Sequence, residues 1–382
     1  MMRVVGFHCF SQIALFRSSI LTITCLLLVV SLAYFFVSCE SPHRTDSAYQ
    51  VITFSDSDVP RTFRLQGRKF AFQELIFPTQ LLKVDCLLVI GDRDVSQLIH
   101  VVDPGGGRYI RKMGKFGDGP GESGTISEFL TGHEKGTFWT RSGRAKQLSF
   151  YNIADTGKLS NKQIRQEGDF FLAVNTAWAS DASLLTTRAD GDEQFVEYSL
   201  DGKFIRSWGS WRSLVDRSDL PVSVISAIHQ GVLKASSDRS SFLFVCRNRD
   251  LIEFLQKGSG SIISIRGPEN TMPKFTIDYS AGYPMPVLER HRKLFYQTGF
   301  IGRDFIYALY AGNYTTDISK RSVYNETIYV FNHRGAVQAR LLLNYSVYDI
   351  TVDEARGKIY GLTFDAEPNL VEFDLPLLRN LE

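Results

Sequence analysis

From residue 86 onward one β-rich pattern returns six times, and it constrains the fold more than any other feature of the chain. Each copy holds an apolar strand, a polar turn, a second strand ending near Asp or Asn, a glycine turn and a third strand. The clearest copies are "CLLVIGDRDVSQLIHVVDPGGGRYIRKMG" (86–114), "TFWTRSGRAKQLSFYNIADTGKLSNKQI" (137–164) and "SLLTTRADGDEQFVEYSLDGKFIRSWG" (183–209). Looser ones follow at 241–267, at 304–343 with an insertion, and at 357–375 in truncated form. Strands such as "TIYVFN" and "LIHVVD" give their sheets two faces to pack. Roughly 344 residues after the N-terminal segment, shared by six units, give about 57 each, which is propeller spacing with long loops. No convincing amphipathic helix is read after residue 50. The expected fold is therefore all-β, a six-bladed β-propeller over residues 49–382.

A propeller needs a closed ring. The last unit offers "VYDITVD", "KIYGLTF" and "NLVEFDL" and no fourth strand. "YQVITFS" (49–55) or "RTFRLQG" (61–67) precedes the first unit with period-two alternation and no other partner. An N-terminal strand is accordingly expected to close the last blade and cover its open edge.

The first 38 residues differ from everything after them. Arg3 and Arg17 are their only charges, and Ser18–Ser38 is an uncharged stretch about as long as a bilayer core is thick. A basic start, an apolar run and a small residue before a cut describe an export signal. Phe36-Val37-Ser38-Cys39 resembles a bacterial lipobox. That resemblance implies a lipoprotein signal peptide over 1–38, a diacylglycerol on the Cys39 thiol, and a polar tether over 39–48. An uncleaved membrane helix is the competing reading, and it too leaves the body of the protein outside the inner membrane. Beyond residue 38 the charges balance at 41 Lys+Arg against 41 Asp+Glu, since Arg3 and Arg17 account for the difference from the full count of 43. No basic stripe appears, which argues against nucleic acid as a partner. Cys86 and Cys246 sit in apolar runs and in different units, so both are expected to be buried free thiols.

Between the first two units lies "KFGDGPGES" (115–123). It lacks the Lys-Ser or Lys-Thr of a phosphate loop, and Pro120-Gly121 followed by "ESGTISEF" is poor material for the helix that a dinucleotide fingerprint opens. As a turn it is coherent, because its glycines accept positive φ and Pro120 presets its own. "RKMGKFGDGPGE" resembles the junction of NHL-type repeats. It is more closely similar to the TolB-like six-bladed propeller lipoproteins of Bacteroidetes. "LIFPTQLLKVDCLLVIGD" (75–92) and the closing stretch from "TIYVFNHRG" to "LVEFDL" are similar to the two ends of that family. The resemblance implies a lipid-anchored propeller on the periplasmic side or outer-membrane surface of a bacterial cell envelope, with no known reaction attached. Gly117, Asp118, Gly119, Pro120, Gly121 and Glu122 form the candidate ligand-face loop, with a rigid blade connector as the competing reading.

Catalytic signatures are sparse. The seven histidines fall in no metal-ligand spacing, and no G-x-S-x-G occurs. Asp190, Asp192 and Glu193 in "ADGDE" suit a hairpin turn better than a calcium site. Trp208 and Trp211 in "SWGSWRS" are read as blade packing, with stacking on sugars or peptides as the alternative. No cofactor and no metal are expected. The chain thus reads as a binding or interaction module for a carbohydrate, peptide or protein partner. The alternative is an enzyme, a calcium-dependent lactonase or a lyase, with its site in the central funnel. Three or more carboxylates, or His with Asp or Asn, converging on the axis would favour the enzyme.

Cys39→Ser is expected to release the protein into the soluble envelope fraction without a lipid. Retention in the membrane pellet after an alkaline wash would support the uncleaved helix instead.

Overall fold

The computed structural model describes residues 43–45, 47–188, 190–321 and 325–378. The expected signal peptide, Cys39 and the expected tether up to residue 42 lie outside the described residues. From Tyr49 onward the chain builds six blade sheets, antiparallel in their first four strands, around a central channel, with a separate two-stranded hairpin at Phe275–Asp278 and Met285–Leu288.

The innermost strands are Pro78–Val84, Glu128–Thr131, Ala173–Ser180, Gly231–Ala235, Tyr296–Ile301 and Val347–Asp353. They define blades one to six in chain order. The sequence repeat begins one strand later, at the second strand of each blade, and these second strands are buried almost throughout. A strand covered on both faces by neighbouring sheets has no solvent side, so apolar side chains run on without alternation, as in "FLFVC". The outer strand of blade one regains the alternation. Arg108–Met113 exposes every second residue or more.

Six apolar clusters fill the six spaces between blades. Val89, Val101, Phe138 and Tyr151 pack between blades one and two. Trp139 and Trp178 meet between two and three, with ring centroids 5.4 Å apart. Trp208 and Trp211, both 1% exposed, belong to the core between three and four, so blade packing is their place in the fold. The remaining cores lie between four and five, five and six, and six and one. Cys246 is buried in the core between blades three and four, whereas Cys86 is exposed. The apolar run around Cys86 misled here because a hairpin turn, with Asp85 at φ 54°, interrupts it.

Ring closure is achieved by an N-terminal strand, as expected, but the residues that make it are Arg68–Lys69. Lys69 pairs with Val371 and Arg68 with Glu372, antiparallel to the third strand of blade six. Neither sequence candidate does this. Tyr49–Thr53 instead adds a fifth, parallel strand to Ser261–Arg266 of blade four. Thr62–Leu65 does the same to Val337–Leu343 of blade five. From Tyr49 to Lys69 the segment therefore straps the outer edges of blades four, five and six in succession. Past the closing pair, the Phe70 N–H donates to Leu370 O at 2.8 Å, and Phe72 and Leu75 enter the core between blades six and one. Asn369 fixes the junction. Its amide donates to Phe72 O at 2.9 Å and accepts from Phe72 N–H at 3.3 Å.

Two seven-residue helices, Val222–Ile228 and Thr315–Arg321, sit in loops, the first between blades three and four. At two turns each they leave too little periodicity to be read from sequence.

Asn369→Ala leaves buried backbone groups at the closure without partners, which should cost about 1–3 kcal/mol. Deletion of residues 49–72 should abolish cooperative unfolding and cause aggregation. A urea midpoint unchanged by Asn369→Ala would show that the closure does not limit stability.

Candidate functional site

An innermost strand is paired on one side only, and its other edge faces the channel. Unpaired backbone N–H and C=O groups therefore line the axis and need partners. Near the entry end of each strand one position recurs around the ring: Gln80, Glu128, Asn175, Val232, Thr298 and Asp349. Five of the six are polar. Together with their neighbours they enclose a cavity of about 400 Å³ at the channel mouth, fed by all six blades.

Three of these side chains reach the next blade. Asp349 of blade six accepts the Leu81 N–H of blade one at 2.8 Å, and the Ile350 N–H at 3.0 Å. Glu128 of blade two accepts both the N–H and the hydroxyl of Thr176 in blade three, each at 3.2 Å. Asn175, with its amide nitrogen turned toward Glu128, donates to that carboxylate at 2.9 Å and to Gly231 O of blade four at 3.2 Å. Burial pushes the Asp349 carboxyl above the ordinary carboxylate range, against the pull of the Lys234 ammonium and of the two N–H groups.

Cations outnumber the acids. Arg141, on the second strand of blade two, donates to Gln166 Oε1 at 3.2 Å and Ala173 O at 3.1 Å, and lies 3.7 Å from Glu128. Lys146 follows in the next turn and stands 4.9 Å over the Phe171 ring. Burial, then Arg141, lowers its pKa. Arg247 closes the mouth from blade four, donating to Gln297 Oε1 at 3.1 Å. Lys234 lies deepest, where the polar mouth gives way to a second space of about 110 Å³ lined by apolar residues such as Leu82, Leu130, Phe300 and Ile350.

The cavity thus brings together two carboxylates, and no histidine lines it. Among the described residues no cluster of three or more His, Cys, Asp or Glu has the arrangement of a metal site. Asp190 pairs with Arg188 and Asp192 accepts from Ser210, within their own blade. His100 is fully buried between Asp92 and Tyr109 in blade one. His229 is also buried, with Nε2 facing Arg249 at 2.9 Å. Its pKa falls to about 3, chiefly from burial, so the ring is neutral.

Residues Gly117 to Glu122 join the outer strand of blade one to the inner strand of blade two and do not line the cavity. Their polar groups turn inward on the loop and onto blade two. Lys115 pairs with Glu122 at 2.6 Å, and the Gly119 N–H donates to the same carboxylate at 2.9 Å. The side-chain amides of Gln147 and Gln163 donate to Glu122 O at 3.1 and 2.6 Å. A Cβ on Gly117 would lie 2.0 Å from the Glu122 carboxylate, so only glycine fits beneath it. The inner-strand residues of the cavity escaped sequence reading because they precede each copy of the repeat, and Arg141, Lys146 and Arg247 because nothing within their copies marks them. The available signal, in three of the inner strands, was a polar residue one place before a buried apolar one, as in "TQLL", "SEFL" and "YDIT".

Residues 53–355 match the family model described as TolB-like 6-blade propeller-like. No curated protein sequence matches. Among solved structures, a candidate exported protein of Bacteroides fragilis NCTC 9343 aligns with 86% of this chain and 100% of its own, at 11% identity and a TM-score of 0.54. A DUF4221 family member from Bacteroides vulgatus ATCC 8482 aligns with 83% of this chain and 97% of its own, at 10% identity and a TM-score of 0.55. At such identities the likeness is one of fold.

The Lys115 pairing and the Gly119 N–H hold Glu122 below its ordinary pKa of 4.5. A carboxylate shifted down on folding stabilises above its unfolded pKa, and that contribution fades as pH falls below it. Glu122→Gln should therefore melt lower than the parent at pH 7, with the gap closing in acid. An unchanged melting temperature combined with weakened affinity for a bound ligand would make the loop a contact surface instead.

Proposed function

For a chain that belongs to the TolB-like six-bladed propeller family, we propose the role of an exported ligand-binding module whose site is the mouth of the central channel. The observation that carries this reading is the convergence of all six inner strands on one cavity of about 400 Å³. That volume lies in the range of small-molecule sites, which concentrate at the axis of closed β architectures. Both of its carboxylates are engaged by backbone N–H groups. They serve as structural acceptors, which favours binding over acid–base or calcium-dependent chemistry. Lipid anchorage through Cys39, on the periplasmic side or at the outer-membrane surface, accompanies the proposal. The exported Bacteroides neighbour is consistent with that location. A small sugar or a peptide end fits the volume; an extended polymer would have to enter by its terminus.

Val174 stands at the rim, 37% exposed, so a larger side chain there has room to fold over the mouth. Val174→Trp is expected to abolish binding of ligands found by screening a metabolite library against the parent protein, with little change in melting temperature. Ligands that bind Val174→Trp as tightly as the parent would place the site elsewhere.

A further inference from the structure

Building on the channel mouth as the binding site, we infer that its ligand is a small organic anion. Its carboxylate or phosphate group is drawn to Lys234 at the floor of the cavity, with Arg247 gripping from the rim. The inference comes from asking which charged groups at the mouth are already satisfied.

Arg141 is satisfied. It lies 3% exposed, donates to two oxygens and neighbours Glu128. The two acids are also satisfied, each by two donors from the backbone or from Thr176. Lys146 donates to Ala173 O at 3.4 Å and leans on Phe171. Lys234 is different. Among the described residues it makes no hydrogen bond, and no carboxylate lies within ion-pair distance of its ammonium. Its nearest electrostatic partner, Asp349, spends its oxygens on Leu81 and Ile350. Arg247 uses Nη2 on Gln297 Oε1, and its Nε and Nη1 have no acceptor among the described residues.

Lys234 and Arg247 lie on the same face of blade four, since Lys234 pairs with Leu243 and the Arg247 N–H donates to Gln230 O four residues before Lys234. Both line the same cavity. A flexible ammonium below and the free edge of a planar guanidinium above form a donor set for a carboxylate or phosphate, which accepts several charge-assisted hydrogen bonds at once. Walls of protein around the cavity strengthen the attraction relative to open water. A neutral ligand would leave the ammonium at the edge of the second space with only the engaged Asp349 carboxyl as its electrostatic partner. The apolar space beyond Lys234 can accept a short hydrocarbon or the edge of a ring, so the fitting ligand is small, with one anionic group and a compact body.

The test uses the purified full chain and matched probes: D-glucuronate, glucose 6-phosphate and benzoate, with glucose as the neutral counterpart. Titration calorimetry and melting shifts at millimolar concentration are the readouts. Binding of at least one anion is expected, with glucose inert and affinity falling as salt is added. Comparison of glucuronate with glucose 6-phosphate identifies the preferred head group. Lys234→Met should weaken anion binding by about tenfold or more, whereas Lys234→Arg retains it. Arg247→Gln should weaken it as a second, independent variant. Three results overturn the inference: no probe anion binds, glucose binds as well as the anions, or anion binding survives both Lys234→Met and Arg247→Gln. Glucose binding that Val174→Trp removes would leave the channel site standing and refute only the anionic class. Anion binding indifferent to Val174→Trp would refute the site itself.

Discussion

The fold depends on the apolar contact between neighbouring blades. Each sheet buries both faces, and each face is completed only by the next sheet in the ring. The cores are rich in aromatics because blades diverge outward and large side chains fill the widening gap. Trp139 against Trp178, Trp211 against Phe244, and Phe54 against Phe331 all do this work. An open chain of six blades would leave two such faces in water, each several buried aromatics wide. At about 1.5–3 kcal/mol for each large apolar side chain, that exposure would rival the net stability of a whole domain. Closure is therefore a condition of folding. It is supplied by a short pairing of Arg68–Lys69, backed by Asn369 and by Phe72 in the sixth core.

Why should so brief a pairing suffice? The chain that leads to it is itself strapped along blades four and five by parallel pairing. Tyr329 and Arg340 of blade five hold Asp56 between those two strands. Gly67 N–H donates to Asn344 at 2.8 Å just before the closing residues. Each attachment limits the volume that the next can explore, so the final pairing forms at high effective concentration. The strap also covers edges that would otherwise be templates for strand addition by another chain.

The sequence was most legible where a residue's role is set by its immediate neighbours. Second and third strands with Gly or Asp turns announced themselves, and with them the number of blades. Inner strands did not. "SEFLT" and "GVLKA" are short, and their polar residues answer to the neighbouring blade rather than to a sheet period. The strap was misassigned for a related reason. "YQVITFS" and "RTFRLQG" do form strands, but which edge a strand joins is decided by the ring and cannot be read from alternation. The candidate site was legible least of all. Arg141, Lys146, Lys234 and Arg247 are separated by up to a hundred residues and form no motif; only the ring brings them to one cavity.

Within that cavity, architecture and recognition use different side chains. Glu128, Asn175 and Asp349 bind the exposed edges of adjacent inner strands, so replacing any of them disturbs the joints between blades. The Lys234 ammonium makes no hydrogen bond among the described residues, and Arg247 makes one bond to Gln297 from its guanidinium. A buried polar group retained for stability is normally fully hydrogen-bonded, because an unmatched one costs more than an apolar replacement. Lys234 is only half-buried and its ammonium has no hydrogen-bond partner among the described residues, so the ring does not rely on it. The anionic ligand proposed above would supply that partner. A fold shared at 10–11% identity with the solved neighbours says nothing of that partner. The division of labour among the mouth residues does. The clamps are constrained by the ring, while Lys234 and Arg247 can change with less disturbance to it, so under the proposed binding role specificity would be set by them.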